Sequence, residues 1–211
     1  MWYPYQMNTS LEKRLFKKGY QVVIGLDEAG RGPLAGPVVA GAAALTSVFK
    51  QRELLQQVKD SKKLSAIKRE QIYKLIVKNK DIKWAITEVS HKVIDKINIL
   101  QATKLAMQKA VLKLSKFFKR KKIILIIDGN QKIKSDYDQL TVVKGDNKVF
   151  LCACASILAK VYRDRKMQKY HKEYPKYGFD RHKGYPTKKH YLAIKKHGLS
   201  PIHRKSFSVD N

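Results

Sequence analysis

Apolar and polar positions along the chain fall into two rhythms. Residues 22–26 and 38–45 are short apolar runs; the first ends in Asp27-Glu28 and Gly30-Arg31-Gly32-Pro33, and the second follows Gly36-Pro37. Runs of this length bounded by glycine and proline are predicted to be strands. Residues 82–89 and 123–127 read the same way, the latter meeting Asp128-Gly129-Asn130, and a shorter strand is predicted at 141–144 before Gly145-Asp146. Ala42, Ala43 and Ala44 predict close packing against the second run. Helical spacing appears from Asn98 to about Phe118, where Leu100, Leu105, Ala106, Val111 and Leu114 recur. Ser65 is placed to cap a helix reaching about Lys78, residues 150–172 read as one long helix, and Thr187 caps a last helix ending near Gly198. Strands first and then strands alternating with helices predict an α/β class with a mixed sheet. The predicted organisation is an N-terminal segment 1–20 of unassigned role, a sheet-bearing domain 21–174, and a small basic helical extension 175–211.

Composition narrows the function classes. With 211 residues, 44% hydrophobic and 9% aromatic, the chain has enough apolar surface for one packed core, which excludes wholesale disorder. It has no apolar run near the ~20 residues of a membrane helix and no secretory pattern at its start. Cys152 and Cys154 lie too close for a stapling disulfide and have no second pair for zinc, so they are expected to be buried packing residues in a reduced, cytoplasmic protein. Lys and Arg number 45 against 17 Asp and Glu, a formal charge of +28. A polyanion is the natural partner of such a charge, and nucleic acid is the obvious one. The alternative is a lysine-rich surface that is merely solvated; an anionic membrane is a weaker reading, as no lipidation signal or amphipathic anchor stands out.

In a chain this poor in acids, Asp27 with Glu28, Asp128 and Asp146 share one context: each closes a strand-like run and meets a glycine or the next element. Ligands bind at strand ends in α/β sheets. Carboxylates converging there repel one another and stay ionised only with cations between them, and all-oxygen donors suit Mg²⁺ or Mn²⁺. Two such ions, roughly 3.5–4 Å apart, activate water and stabilise the leaving oxygen of a phosphodiester. Each acid also has a plainer reading: a turn at Asp27, a solvated Glu28, an Asp128-Gly129 turn, a helix cap at Asp146. Asp164, between Arg163 and Arg165, is a rival that reads better as a helix-surface ion pair. The spacing of Gly30, Gly32 and Gly36 departs from the dinucleotide fingerprint, and the two preceding carboxylates would repel a pyrophosphate. Close backbone approach to a sugar-phosphate, or a tight turn, remains.

The segment Asp27-Glu28-Ala29-Gly30-Arg31-Gly32-Pro33-Leu34-Ala35-Gly36-Pro37-Val38 resembles the signature of ribonuclease HII, the type 2 ribonuclease H family. The resemblance continues in order through Asp60-Ser61-Lys62-Lys63-Leu64-Ser65, Ile97-Asn98-Ile99-Leu100-Gln101-Ala102-Thr103, Ile127-Asp128-Gly129-Asn130, Lys144-Gly145-Asp146, Ala155-Ser156-Ile157-Leu158-Ala159-Lys160-Val161, His182-Lys183-Gly184-Tyr185-Pro186-Thr187 and Arg204-Lys205-Ser206-Phe207. It implies a ribonuclease H-like mixed sheet flanked by helices, with the extension 175–211 completing the substrate site. It also implies hydrolysis of the RNA strand of RNA–DNA hybrids and cutting 5′ of single ribonucleotides embedded in duplex DNA, leaving a 3′-hydroxyl and a 5′-phosphate. By motif, the catalytic, Mn²⁺- or Mg²⁺-binding carboxylates fall on Asp27, Glu28, Asp128 and Asp146. Gly30, Arg31 and Gly32 fall where the family's backbone reads the ribose 2′-hydroxyl, the group that separates RNA from DNA. Tyr185 falls where a tyrosine stacks on the following deoxyribose. Lys62 and Lys63 are expected phosphate contacts, with solvated surface charge as their alternative. His182 is expected to serve a structural hydrogen bond, and a monomer is the expected state. The rivals are a non-catalytic nucleic-acid-binding protein on this fold and a ribonuclease H that ignores single ribonucleotides.

Overall fold

In chain order the elements are α1 (Ser10–Lys17), β1 (Val22–Ala29), β2 (Val38–Leu45), α2 (Arg52–Lys59), α3 (Ala66–Lys78), β3 (Lys83–Val89), α4 (His91–Ser115), β4 (Ile123–Asp128), β5 (Asp138–Val142), α5 (Gly145–Lys148), α6 (Phe150–Glu173), a 3-10 turn (Pro175–Tyr177), α7 (Phe179–His182) and α8 (Lys188–His197). They come from a computed structural model that describes residues 9–49, 51–59 and 65–208. Lys62 and Lys63 lie outside the described residues.

Alternation along the strands sorts the core into two layers. In β1, Val22, Ile24 and Leu26 join Ala40, Ala42, Ala44 and Leu125 in a cluster closed by Ala102, Ala106 and Ala110 of α4. Val23 points the other way and joins Ala43, Ile124 and Ile126 beneath α6, with Leu15, Leu54, Ile72 and Ile76 of α1, α2 and α3 packed outside. The sheet between these layers has the order β3-β2-β1-β4-β5. β1 pairs antiparallel with β2 and β2 with β3, while β4 and β5 run parallel to β1. This is the predicted mixed α/β sheet.

Two glycines let α6 lie down on the sheet. A Cβ at Gly25 would collide with the Leu151 backbone, and one at Gly41 with the Ala155 carbonyl. The close packing expected at Ala42–Ala44 occurs on both faces: Ala42 and Ala44 meet the alanines of α4, and Gly41 just before them meets α6. Beyond α6, Ala35, Met167, Tyr177, Phe179 and Ile202 form a third cluster that fastens the C-terminal elements to the loop between β1 and β2. Leu34 N–H donates to the Gly184 carbonyl (2.8 Å), Gly36 N–H to Ile202 (2.9 Å) and Arg204 N–H to Leu34 (2.8 Å).

Several predicted boundaries shift. β1 continues to Ala29 because Asp27, Glu28 and Ala29 pair with Gly41, Ala40 and Val39. α4 starts at His91 and not at Asn98, whose left-handed φ of 63° kinks the helix and breaks its apolar rhythm. Asn98 Oδ1 then accepts the Gln101 N–H (3.1 Å) and restarts the helix. β5 lies at 138–142, earlier than predicted, because Lys144 turns left-handed (φ 57°) to open α5. α1, α2, α5 and α7 have no counterpart in the sequence reading. The caps at Ser65 and Thr187 form, accepting from Lys68 and His190 N–H (3.3 Å each). No helix among the described residues is long and apolar enough to cross a membrane.

Candidate active site

Strand parity and register bring the first two acids together. β1 and β4 pair in parallel up to Leu26 and Ile127, and Asp27 and Asp128 are the next residue on each. Asp27 shares the face of Val23, and Asp128 that of Ile124 and Ile126, so both point to the α6 side. The third arrives from α5, which follows β5 through the left-handed Lys144. Gly145 N–H donates to Asp128 Oδ1 (2.8 Å), fixing the turn that carries Asp146. One carboxylate oxygen from each of Asp27, Asp128 and Asp146 lies within 4.8 Å of the others.

Glu28, one residue on, has the opposite parity and is outside that group of three. Its Oε1 accepts from Arg31 Nη1 at 3.3 Å. Asp27 is 7% exposed, and its carboxylate accepts from its neighbour's N–H (2.7 Å) and from the Ser156 hydroxyl on α6. Burial first, then the charges of Glu28 and Asp128, push the Asp27 pKa well above the carboxylate range, against the Ser156 hydrogen bond. Burial also raises Glu28, partly offset by Arg31. The donor set is all oxygen, anionic and crowded at hydrogen-bonded, preset positions. A hard divalent cation fits it, since the positive charge would relieve both burial and mutual repulsion.

Beside the acids, the loop from Gly30 to Gly36 turns on glycines with φ of 97° and 83°. A Cβ on Gly30 would overlap the Arg163 side chain, so glycine is required there twice over. A Cβ on Gly32 would sit 3.8 Å from Tyr185 Cε1, so the Tyr185 ring stands against this loop, 40% exposed. Lys160 Nζ lies 6.0 Å and Arg163 Cζ 5.9 Å from the ring centroid.

Beneath Tyr185 is a buried pair of imidazoles, His190 and His203, whose pairing the sequence does not reveal. Ser200 N–H donates to His203 Nδ1 (2.8 Å), which leaves the proton on His203 Nε2. That nitrogen faces His190 Nε2 at 3.0 Å, so His190 carries its proton on Nδ1 and donates it to the Tyr185 carbonyl (3.0 Å). Burial holds both rings neutral, with pKa values lowered to about 4. His182 stacks on His190 (centroids 4.3 Å apart) and bonds to the Tyr177 carbonyl and the Gly184 N–H, the structural role expected of it.

The structure thus joins Asp27, Asp128 and Asp146, sets Glu28 beside them, and puts Gly30, Arg31, Gly32 and Tyr185 along one adjoining edge. Asp164 is the expected surface ion pair, with Lys160 (2.7 Å) and not a flanking arginine as its partner. Cys152 and Cys154 are free and fully buried, as expected of packing residues. Sequence reasoning missed Arg163 and Arg204 as functional candidates. Both are almost completely buried under the Gly30–Gly36 loop.

Asp27 and Asp128 at parallel strand ends, joined by Asp146 from α5 on a strongly basic protein, fit the class of enzymes that hydrolyse phosphodiesters with bound metal ions. The family model for Ribonuclease HII matches residues 24–209. A Ribonuclease HII of Endomicrobium trichonymphae is 48% identical over 203 residues, covering 96% of this chain and 92% of that one. One of Chlorobium chlorochromatii is 48% identical over 206 residues, covering 96% and 97%. Among solved structures, ribonuclease H2 from Pyrococcus horikoshii superposes with a TM-score of 0.71 at 26% identity, covering 89% of this chain and 94% of that one. The chain belongs to the ribonuclease HII family, and it is a ribonuclease H endonuclease.

Proposed function

We propose that this enzyme hydrolyses the RNA strand of RNA–DNA hybrids and cuts duplex DNA on the 5′ side of a single embedded ribonucleotide, in the cytoplasm and as a monomer. The observation that carries the reading is the convergence of Asp27, Asp128 and Asp146 within 4.8 Å beside the Gly30–Gly32 edge. Asp27, Asp128 and Asp146, with Glu28 at their side, would hold Mg²⁺ or Mn²⁺. Bound there, the two ions of this proposal would supply an acidified water and charge stabilisation for the leaving 3′ oxygen, giving a 3′-hydroxyl and a 5′-phosphate.

The protein's own residues do the rest. Ser156 and the Gly145 N–H keep Asp27 and Asp128 in place through hydrogen bonds already formed. The backbone of Gly30, Arg31 and Gly32 reads the 2′-hydroxyl, and the exposed Tyr185 ring offers a face for the sugar that follows. Residues 175–211 complete this site from the side of Tyr185, and Lys62 and Lys63 serve as phosphate contacts. Asp27→Asn and Asp128→Asn are the test. Each is expected to lower turnover of a labelled hybrid by about 10³-fold or more, equivalent to roughly 4 kcal/mol, while duplex affinity changes less than about threefold. Near-normal turnover in either variant would remove that residue from the proposed centre.

A further inference from the structure

Two guanidiniums are buried under the Gly30–Gly36 loop, and among the described residues neither belongs to an ion pair. Arg163, 1% exposed on α6, donates from Nε to the Pro37 carbonyl (3.0 Å), from Nη1 to Lys183 (3.0 Å) and from Nη2 to Ala35 (3.1 Å). Arg204, fully buried, donates from Nε to Gly36 (3.0 Å), from Nη1 to Arg31 (2.9 Å) and from Nη2 to Gly30 (2.6 Å). Burial pulls their pKa values down to about 10 and about 9, and Arg163 adds to the strain on Arg204. A buried charge without a counter-ion is an expensive way to fill a core. Here each charge is satisfied by three backbone carbonyls.

Those carbonyls decide where the loop's N–H groups point. In a planar trans peptide the C=O and the following N–H face opposite ways. Arg204 draws the carbonyls of Gly30 and Arg31 inward, so the N–H groups of Arg31 and Gly32 are turned outward. Both residues are exposed, and neither N–H has a hydrogen-bond partner among the described residues. Two adjacent, preset donors are therefore offered on the edge where the Tyr185 ring stands. Arg163 ties the same loop to the Lys183 carbonyl, two residues before Tyr185.

We infer that Arg163 and Arg204 are positioning residues for ribonucleotide discrimination: they hold the 30–37 loop from within so that the Arg31 and Gly32 N–H groups donate to a ribose 2′-hydroxyl beside Tyr185. This rests on the proposed reading that the Gly30-Arg31-Gly32 backbone recognises that hydroxyl. Lysine keeps the charge but has no planar fork able to span three carbonyls, so Arg204→Lys and Arg163→Lys separate charge from geometry. A misplacement of about 1 Å costs on the order of 10²-fold in rate. Each variant is accordingly expected to lose about 10²-fold in kcat/KM on a duplex with one ribonucleotide, while its affinity for the same all-DNA duplex stays within about twofold.

Amide spectra of the full chain in EDTA give the second readout. In the unaltered protein, the Arg31 and Gly32 N–H resonances shift with the single-ribonucleotide duplex and stay put with the all-DNA duplex. If they fail to respond there, the backbone reading itself is wrong. If they respond equally in Arg204→Lys, or if both lysine variants cut with the unaltered ribonucleotide preference, the backbone reading stands and the two arginines are structural only. Should a lysine variant not fold, the other is scored in its place. If neither folds, the absence of a shift in the unaltered protein still overturns the inference.

Discussion

Glu12 shows at the scale of one residue how this fold handles charge. It sits on α1, is fully buried, and accepts the Leu151 N–H (3.2 Å) at the start of α6, while its Oε2 has no partner among the described residues. Burial pushes its pKa up to about 7, and the neighbouring Cys152 and Cys154 thiols offer it no positive charge. In the unfolded chain it would ionise near 4.5. The folded state thus holds the proton more tightly, and this contribution to stability is complete below about pH 4.5 and lost as pH rises through about 7, amounting to roughly 3 kcal/mol at most. His190 and His203 act in the opposite sense: being neutral when folded, they lose stability as pH falls from about 6.5 toward 4. Comparing Glu12→Gln with the unaltered protein isolates the glutamate. The variant's thermal midpoint should lose the decline between pH 5 and pH 8.5; equal declines in both proteins would refute the assignment. Glu12 was illegible in the sequence because its partner lies 139 residues away. Asp27, Glu28, Asp128 and Asp146 were legible because each is announced locally by the end of an apolar run. Arg163 and Arg204 were not, since their function is defined by carbonyls brought in from other elements.

At the scale of elements, the contact between α6 and the sheet sets the site. Gly25 and Gly41 let the helix backbone meet β1 and β2, and this depth is what brings Ser156 to the Asp27 carboxylate. Gly41→Ala should therefore destabilise by about 3 kcal/mol through overpacking and lower turnover in proportion to the lost Ser156 contact. Denaturant unfolding checks the first, and an unchanged midpoint would show that α6 can lift without cost. The strands were readable because short apolar runs between glycine and proline leave few other choices. α4 was half-readable: its first turns precede Asn98, whose left-handed backbone interrupts the spacing. α1 and α2 stayed hidden because they are polar on most faces and take their helical form from a narrow apolar edge, laid on β1 in the case of α1 and on α6 and α3 in the case of α2. The short α7 is shaped by its packing, Phe179 stacking on Tyr177 with centroids 5.4 Å apart.

For the whole molecule, the charge of +28 has to be divided between substrate contact and solvation. Each phosphate neutralised contributes about −0.9 to the slope of log affinity against log salt. Binding of an all-DNA duplex is expected to weaken at least tenfold between 50 and 200 mM salt; a flat response would assign the lysines to solvation. The mixed sheet was anticipated from the order of strands and helices. The resemblance implied that the extension completes the site, but not the contacts by which it does so, because these are backbone hydrogen bonds between residues 184, 202 and 204 and one loop far upstream. That closure places the acids, the loop and Tyr185 on a single edge, the edge proposed to cut nucleic acid at ribonucleotides. The most direct test of that proposal is incubation of labelled duplex DNA carrying one internal ribonucleotide with the protein in Mg²⁺, Mn²⁺ or EDTA, beside all-DNA and long-hybrid controls. Metal-dependent nicking immediately 5′ of the ribonucleotide is expected, with no cutting of the all-DNA duplex and none in EDTA. Binding without cutting of any substrate would contradict the proposal.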